Sequence, residues 1–266
     1  MLARTMKNLF KKLVVGTSLE SLARKTHAAV TGSGAAYKNY VYDLQTVEVM
    51  KRVLKDDSNC IDVGCHQGTV LKEILRFSPK GTHFAFEPIP EMYQELVNTF
   101  GNLPRLHFYD CALGDIEGTT SFQHVQSNPG YSGLRKRQYD QPNEKIVEIN
   151  VTINLLDNVL PKHIPIQFIK VDVEGAELQV FKGAIDTITK SQPTIIFEHG
   201  LGAADYFGTT PGNVYDLLAI QCGLKLFLMA EWLESSPRSS LNKAAFCEQF
   251  SSGSNFYFMA APAELR

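Results

Sequence analysis

The stretch that decides the fold lies between residues 60 and 68 and reads Cys60-Ile61-Asp62-Val63-Gly64-Cys65-His66-Gln67-Gly68. A short apolar run ends in an acidic residue, and a turn with two glycines four residues apart follows before a helical stretch begins. Glycine permits positive φ and lets a ligand approach the backbone closely. The segment therefore predicts a strand, a ligand-binding turn and a helix, in that order.

The acid at position 62 indicates which ligand this turn could bind. The stretch is not the G-x-G-x-x-G dinucleotide fingerprint, because the middle glycine is absent. A carboxylate would repel a pyrophosphate, whereas Asp62 can oppose the ammonium of an amino-acid group while Gly64 makes room for it. This charge argument favours S-adenosylmethionine over NAD.

Strands and helices are predicted to alternate outward from this segment. The β-type runs are Cys60–Val63, His83–Glu87, Leu106–Tyr109, Gln167–Val171, Thr194–Glu198, Leu224–Met229 and Asn255–Ala260. Helical stretches lie at about Thr69–Phe77, Glu91–Thr99, Ala176–Ile188 and Val214–Gln221. This order predicts βαβ units and a mostly parallel sheet. Two further β-type runs, Thr119–Gln123 and Lys145–Ile153, flank a long polar loop at Ser127–Gln141, which is a candidate functional insertion.

Acidic residues close five of the predicted strands. They are Asp62, Glu87, Asp110, Asp172 and Glu198, and His199 follows the last of them. Ligands of an open parallel sheet bind beyond the carboxyl ends of its strands, and an unpaired carboxylate is costly to bury. Glu87 lies about twenty residues past the glycine turn, where an acid accepts hydrogen bonds from two ribose hydroxyls. The pattern therefore predicts a nucleoside-binding edge.

Four segments together resemble the FkbM family of S-adenosylmethionine-dependent methyltransferases. They are Ile61–Gly68, Phe86–Pro88, Ala112–Asp115 and Ile169–Glu177, and Val180–Ala184 and Phe197-Glu198 follow them. The most family-specific piece is the run Asp172-Val173-Glu174-Gly175-Ala176-Glu177. The resemblance covers about residues 58–262. The chain departs from the family at Cys65 and His66, where alanine and asparagine are usual, and we expect cofactor binding to survive these departures.

The resemblance implies the class I methyltransferase fold, an α/β Rossmann-like architecture. Its seven-stranded, mostly parallel sheet has helices on both faces and an antiparallel last strand, which would be Asn255–Ala260 beside Leu224–Met229. The methyltransferase domain would span residues 59–266.

Residues 1–58 are predicted to form a helical extension in front of that domain. An apolar stripe with interleaved lysines at residues 2–14 predicts a helix that packs on the main domain. A membrane-surface helix or a transit peptide is the alternative. A flexible joint at Thr31-Gly32-Ser33-Gly34 precedes a second helix, predicted at about Leu44–Leu54.

The resemblance also implies cofactor roles. Asp62, Gly64 and Gly68 would bind the methionine end of S-adenosylmethionine, Glu87 the ribose, and Asp110 the adenine amino group. Characterised relatives methylate hydroxyl groups on natural products and sugars, so O-methylation is the expected reaction.

Asp172, Glu198 and His199 are the predicted catalytic residues, because they end two neighbouring strands beside the expected methyl position. Methyl transfer needs an acceptor oxygen about 3–3.5 Å from the methyl carbon, and it can need a base for the hydroxyl proton. His199 is the better base on intrinsic pKa, while a structural hydrogen-bonding role stays open. The three residues could also bind a metal ion, as in catechol-type enzymes, but the resemblance requires none and we expect none.

The polar loop lies where the family closes over cofactor and acceptor. Asn128 and Ser132 are predicted to contact the acceptor. Arg135, Lys136 and Arg137 could attract an anionic acceptor, although a solvated charge run is the favoured interpretation.

Composition excludes several other classes of protein. The chain has 266 residues, of which 44% are hydrophobic and 20% charged, so wholesale disorder is excluded. No stretch approaches the ~20 apolar residues of a membrane-spanning helix. A net charge of −2 lacks the basic excess of a nucleic-acid binder. Five scattered cysteines and no secretory apolar segment predict a reducing compartment and a cytoplasmic location.

The sequence thus predicts an S-adenosylmethionine-dependent methyltransferase that acts on a hydroxyl of a small molecule or sugar. An N-methyltransferase and a metal-dependent catechol-type enzyme on the same fold are alternatives. An inactive cofactor-binding module with a membrane-surface helix is the alternative from another class of protein.

Overall fold

The computed structural model describes residues 35–139, 141, 143–234 and 239–264. These residues belong to two compact units that divide between Val47 and Glu48. Helix α1 spans Ala35–Val53 and contains nearly all of the second helix that the sequence predicts. It begins earlier than predicted because two alanines, which favour helix, open it. The predicted helix at residues 2–14 and the joint at residues 31–34 lie outside the described residues.

The second unit is built from strands that the sequence largely predicts. In chain order they are β1 (Cys60–Val63), β2 (His83–Phe86), β3 (Leu106–Tyr109), β4 (Cys111–Leu113), β5 (Gly118–Val125), β6 (Ile146–Asn154), β7 (Phe168–Val171), β8 (Thr194–Glu198), β9 (Lys225–Phe227) and β10 (Tyr257–Ala261). Seven of them form one sheet in the order β3-β2-β1-β7-β8-β10-β9. Strand β10 is antiparallel to both of its neighbours, whereas β1, β2, β3, β7 and β8 pair in parallel. The predicted fold class is confirmed.

The helices that follow are α2 (Thr69–Phe77), α3 (Pro90–Phe100), α4 (Leu156–Val159), α5 (Glu177–Lys182), α6 (Ile185–Ser191), α7 (Pro211–Tyr215), α8 (Met229–Glu234) and α9 (Lys243–Ser251). A π-helix, Asp216–Gln221, continues α7. Among the described residues, no helix has both the length and the hydropathy needed to cross a bilayer.

The single helix predicted at Ala176–Ile188 is interrupted at Gly183. A Cβ atom on Gly183 would lie 2.0 Å from the carbonyl oxygen of Gly114. The Gly183 carbonyl also accepts a hydrogen bond from the main chain of Asp157. A close approach of a distant segment therefore breaks this helix, and periodicity along the chain cannot reveal such an approach.

The two extra β-type runs correspond to β5 and β6, which form a separate small sheet with β4, a strand that the sequence did not predict, in the order β4-β6-β5. Strands β5 and β6 pair antiparallel over eight residue pairs, from Gly118 beside Ile153 to Val125 beside Ile146. The polar loop connects these two strands. Because β3 passes into β4 through the single residue Asp110, the small sheet starts at the carboxyl end of a strand of the main sheet.

The core lies on both faces of the main sheet. Every residue of β1, β2 and β7 is buried, and these strands carry the large apolar side chains expected of central parallel strands. The carboxyl ends of β1, β2, β3, β7 and β8 consequently meet at one edge, where the strand-end acids gather.

Candidate active site

Asp62 lies near the end of β1 with an unsatisfied carboxylate oxygen. Its side chain is 2% exposed, and Oδ2 is buried with no hydrogen-bond partner in the part of the chain that the structure describes. Burial raises the pKa of Asp62 to about 6, although the charge of Lys170 and a hydrogen bond from Cys65 act in the opposite direction. A buried carboxylate oxygen without a partner fits a cationic or hydrogen-bond-donating ligand.

The two glycines of the turn have the backbone conformation that the sequence predicts. Gly64 and Gly68 have φ values of 78° and 74°. A Cβ on Gly64 would lie 2.0 Å from the carbonyl oxygen of Asp172, and one on Gly68 would lie 2.8 Å from a Leu96 methyl. The turn therefore needs glycine for its own packing against the end of β7 and against α3, in addition to any ligand.

Glu87 follows β2 and is fixed beside the glycine turn. Its Oε1 accepts a hydrogen bond from the main chain of Ile89 at 3.0 Å, and its Oε2 accepts one from the main chain of His66 at 2.8 Å. Burial raises the pKa of Glu87 to about 7 against the effect of these two bonds. Each oxygen keeps a second acceptor position, as a ribose diol requires. Asp110, the residue predicted to bind the adenine amino group, is exposed at the end of β3.

Three acids form a cluster beyond β7 and β8, here called the carboxylate cluster: Asp172, Glu174 and Glu198. One carboxylate oxygen from each lies within 4.8 Å of the others. Asp172 and Glu198 meet because their strands are neighbours. Glu174 joins them from a tight turn in which its own φ is 56°.

Two of these acids share a hydrogen bond and differ in protonation. Burial, and then the charge of Asp172, raise the pKa of Glu198 well above its ordinary value. Burial also acts to raise the pKa of Asp172, but the charge of Lys170 and hydrogen bonds from Glu198, Tyr257 and Lys170 outweigh it and lower that pKa. Of this pair, Glu198 therefore holds its proton more strongly and donates the hydrogen bond, while Asp172 is the ionised partner that accepts it.

Cationic side chains neutralise the cluster. Lys170 Nζ donates to Asp172 Oδ2 at 2.9 Å, and the Tyr257 hydroxyl donates to the same oxygen. Arg137 forms an ion pair with Glu174. With Glu198 protonated, two negative side chains face two positive ones.

The sequence pattern did not single out Lys170 or Tyr257 as site residues. Lys170 could have been found, because a residue two positions before Asp172 lies on the same face of a strand. Tyr257 is 85 residues from Asp172 in the chain and carries no local sign of the contact.

The structure does not bring His199 to Asp172. The His199 side chain is fully buried, its ring lies 4.8 Å from the ring of Phe250, and neither ring nitrogen has a hydrogen-bond partner within the described ranges. Its Nδ1 lies 3.6 Å from Glu177 Oε2. Of the two roles that the sequence left open, this position favours the structural one. In the metal-binding alternative that the sequence left open, Glu174 rather than His199 is the residue that lies near Asp172 and Glu198.

The two residues predicted to contact the methyl acceptor have different surroundings in the polar loop. Asn128 is exposed in front of a 3₁₀ turn, Pro129–Tyr131. Ser132 is buried, and its hydroxyl oxygen accepts a hydrogen bond from the main chain of Val125 at 2.9 Å. Ser132 therefore fastens the loop to β5.

The arginines of this loop have protein partners, in contrast to the solvated run that the sequence favoured. Arg135 donates to the carbonyl oxygen of Tyr206 at 2.9 Å and lies over the Phe207 ring. Arg137 lies over the Tyr131 ring and also forms the ion pair with Glu174. Lys136 alone of the three fits the solvated interpretation. The loop is thereby bound to the segments that follow β7 and β8.

The sequence matches the Methyltransferase FkbM domain over residues 62–226, a range that contains all five strand-end acids. This chain belongs to the FkbM methyltransferase family. The family match ends before β10, so Tyr257 lies outside it.

Named relatives are similar over part of their length. The 2-O-methyltransferase NoeI of Sinorhizobium fredii (strain NBRC 101917 / NGR234) is 26% identical over 162 residues, covering 54% of this chain and 65% of NoeI. Methyltransferase sdnD of Sordaria araneosa is 29% identical over 152 residues, covering 46% of this chain and 59% of sdnD. The chain thus spans less than two thirds of these relatives.

Among solved structures, the methyltransferase FkbM from Methylobacillus flagellatus KT aligns with a TM-score of 0.48 at 14% identity. That alignment covers 78% of this chain and 44% of the other.

Proposed function

We propose that this FkbM-family protein transfers the methyl group of S-adenosylmethionine to a hydroxyl group of a small molecule or sugar. The observation that carries the proposal is the buried, unpartnered oxygen of Asp62 beside the fixed carboxylate of Glu87. A buried carboxylate needs a cation or a donor, and a ribose diol needs two acceptors. S-adenosylmethionine offers both the ammonium and the ribose. NoeI, a relative named as a 2-O-methyltransferase, supports a hydroxyl acceptor.

The cofactor supplies a methyl group already activated on a sulfonium. Asp62 would bind its ammonium, Glu87 its ribose and Asp110 its adenine amino group. Gly64 and Gly68 would let the turn approach the methionine end while keeping their own packing contacts.

On the acceptor side, Asp172 and Glu198 would orient the hydroxyl, with Asn128 and Ser132 contacting the rest of the acceptor. An ionised Asp172 can accept a hydrogen bond, and a protonated Glu198 can donate one. This pair of roles suits a hydroxyl, which both donates and accepts.

A metal-dependent reaction is the second candidate, because the cluster brings three carboxylates within ion-binding distance of one another. The ion pairs of Arg137 with Glu174 and of Lys170 with Asp172 favour the metal-free reaction. A divalent ion would have to displace these cations.

The test of the proposal combines binding with transfer. Calorimetry should detect S-adenosylmethionine and S-adenosylhomocysteine but not NAD. Asp62→Asn should weaken cofactor binding by about 1.5–3 kcal/mol, the scale of a lost charge-assisted contact. The exposed Asp57→Asn is the matched control. The purified chain is then incubated with methyl-labelled cofactor and a panel of monosaccharides, catechol and primary amines. Label in the amines alone, or binding of NAD alone, contradicts the proposal.

A further inference from the structure

His66 occupies an unusual backbone position inside the glycine turn. Its φ is 51°, in the left-handed region where asparagine and histidine are tolerated better than most residues. Its main-chain N–H donates to Glu87 Oε2 at 2.8 Å. The turn therefore fixes His66 next to the acid proposed to bind the ribose, and asparagine could adopt the same backbone.

The His66 side chain has an unsatisfied nitrogen. Nε2 is buried and has no hydrogen-bond partner among the described residues. Three acids surround this position: Glu87 at the end of β2 binds its main chain, while Asp172 after β7 and Glu95 on α3 act on the ring through their charge. Burial lowers the pKa of His66 against the raising effect of Asp172 and Glu95. The ring is therefore neutral at neutral pH.

We propose that His66 is the proton acceptor of the methyl transfer, with its free Nε2 receiving the proton of the acceptor hydroxyl. The inference rests on the proposed function. A lone pair of the acceptor oxygen forms the new bond to the methyl carbon, and the C–S bond breaks with its electron pair passing to sulfur. The hydroxyl proton moves to Nε2, for which the ring must carry its other proton on Nδ1.

Charge balance supports this role. Before transfer the site contains a sulfonium and a neutral imidazole, and afterwards it contains a neutral thioether and an imidazolium. One positive charge is present throughout, and after the step Asp172 and Glu95 act to stabilise it on the His66 ring. The proton leaves to water when the product departs.

The other candidate bases fit less well. His199 is fully buried beside Phe250 and Glu177. Asp172 is bound by Lys170 and Tyr257, and its lowered pKa makes it a weak base. Among the histidines near the carboxyl ends of the strands, His66 is the one that lies in the glycine turn and also has a ring nitrogen without a hydrogen-bond partner among the described residues.

The kinetic test compares His66→Asn with the exposed His163→Asn as control. It uses the sugar or phenol with the highest turnover in the labelling panel. We expect His66→Asn to lower kcat by about 10²–10⁴-fold and to leave the Kd of the cofactor within about threefold, since base catalysis acts in the transition state. The acidic limb of the wild-type pH–rate profile should disappear in His66→Asn.

A second variant tests whether lost turnover comes from the missing imidazole and not from a disturbed backbone. His66→Gly is compatible with the left-handed backbone, and added imidazole should restore part of its turnover. A kcat of His66→Asn within threefold of wild type, or an acidic limb that persists in it, overturns the inference while leaving the proposed function intact. A wild-type chain that methylates no hydroxyl acceptor overturns both.

A measurement that does not depend on turnover tests whether His66 lies close to the sulfonium. The pKa of His66, measured by NMR on its ring carbon, should be about one unit lower in the S-adenosylmethionine complex than in the S-adenosylhomocysteine complex. The reason is that the sulfonium opposes a second positive charge nearby. Equal pKa values in the two complexes contradict the inference.

Discussion

At the scale of single residues, the burial of Asp62 and Glu87 has a cost for the fold when no ligand is bound. Burial raises their pKa values to about 6 and about 7, from ordinary values of 3.8 and 4.5. A folded-state pKa above the unfolded one means that the folded chain binds protons that the unfolded chain has released. The contribution of these acids to stability therefore falls as pH rises from about 4 to about 7, and then stays level.

Replacing either acid by its uncharged amide should therefore stabilise the cofactor-free chain. Asp62→Asn and Glu87→Gln should each gain about 1–3 kcal/mol of unfolding free energy relative to wild type between pH 4 and pH 8. Urea unfolding at both pH values measures the difference. The exposed Asp186→Asn serves as control. If the variants exceed wild type in unfolding free energy by no more at pH 8 than at pH 4, burial does not raise the pKa values of these acids.

Glu87 also permits a test of the proposed ribose contact. If its carboxylate binds the ribose hydroxyls, Glu87→Ala and a 2′-deoxy cofactor analogue remove the same interaction. Calorimetry should then show that the analogue loses little further affinity in the variant, because coupled changes are not additive. Fully additive losses would assign the ribose to another residue.

At the scale of elements, the turn between β7 and α5 connects the carboxylate cluster to the core. Glu177 Oε1 accepts a hydrogen bond from the main chain of Gly175 at 2.9 Å, and its Oε2 lies near His199. Gly175 has a φ of 105°, and a Cβ there would lie 2.6 Å from the carbonyl oxygen of Ala203. Glu177 and His199 thus support the turn that presents Glu174.

A structural role for His199 makes a definite prediction. His199→Ala should lower the unfolding free energy by about 2–4 kcal/mol, because it leaves a cavity among Phe246 and Phe250. The acidic limb of the pH–rate profile should remain, measured where the variant is still folded. A loss of that limb with unchanged stability would instead identify His199 as the base.

At the scale of the whole molecule, the negative charges of the carboxylate cluster are balanced by cationic side chains of the protein itself, without an added ion. The polar loop contributes Arg137, β7 contributes Lys170, and β10 contributes Tyr257, so three distant segments surround one acid cluster. Their meeting depends on the insertion of β10 beside β8 and on the bonds of the polar loop to the segments that follow β7 and β8.

This arrangement predicts the response to metal removal. EDTA should leave turnover within about twofold of the untreated chain, because Lys170 and Arg137 already neutralise Asp172 and Glu174. Dialysis against EDTA followed by assay with and without magnesium or manganese measures this. Activity that collapses with EDTA and returns with either ion would establish the metal-dependent alternative.

The sequence by itself determined the seven strands of the main sheet, four of the helical stretches between them, the class of fold and the gathering of acids at one edge. These features depend on patterns that are local in the chain: apolar runs of strand length, glycines in turns, and an acid at the end of five of the strands. In a parallel sheet, local placement at carboxyl ends is enough to bring distant residues such as Asp62 and Glu198 to the same edge.

Only the tertiary structure decided which way the remaining side chains face and what they contact. His199 follows Glu198 directly, yet it is buried among aromatic rings while Glu198 joins the cluster. The break at Gly183 and the contact of Tyr257 with Asp172 come from segments far apart in the chain. Local pattern cannot specify such contacts, because they depend on how the elements pack against one another in three dimensions.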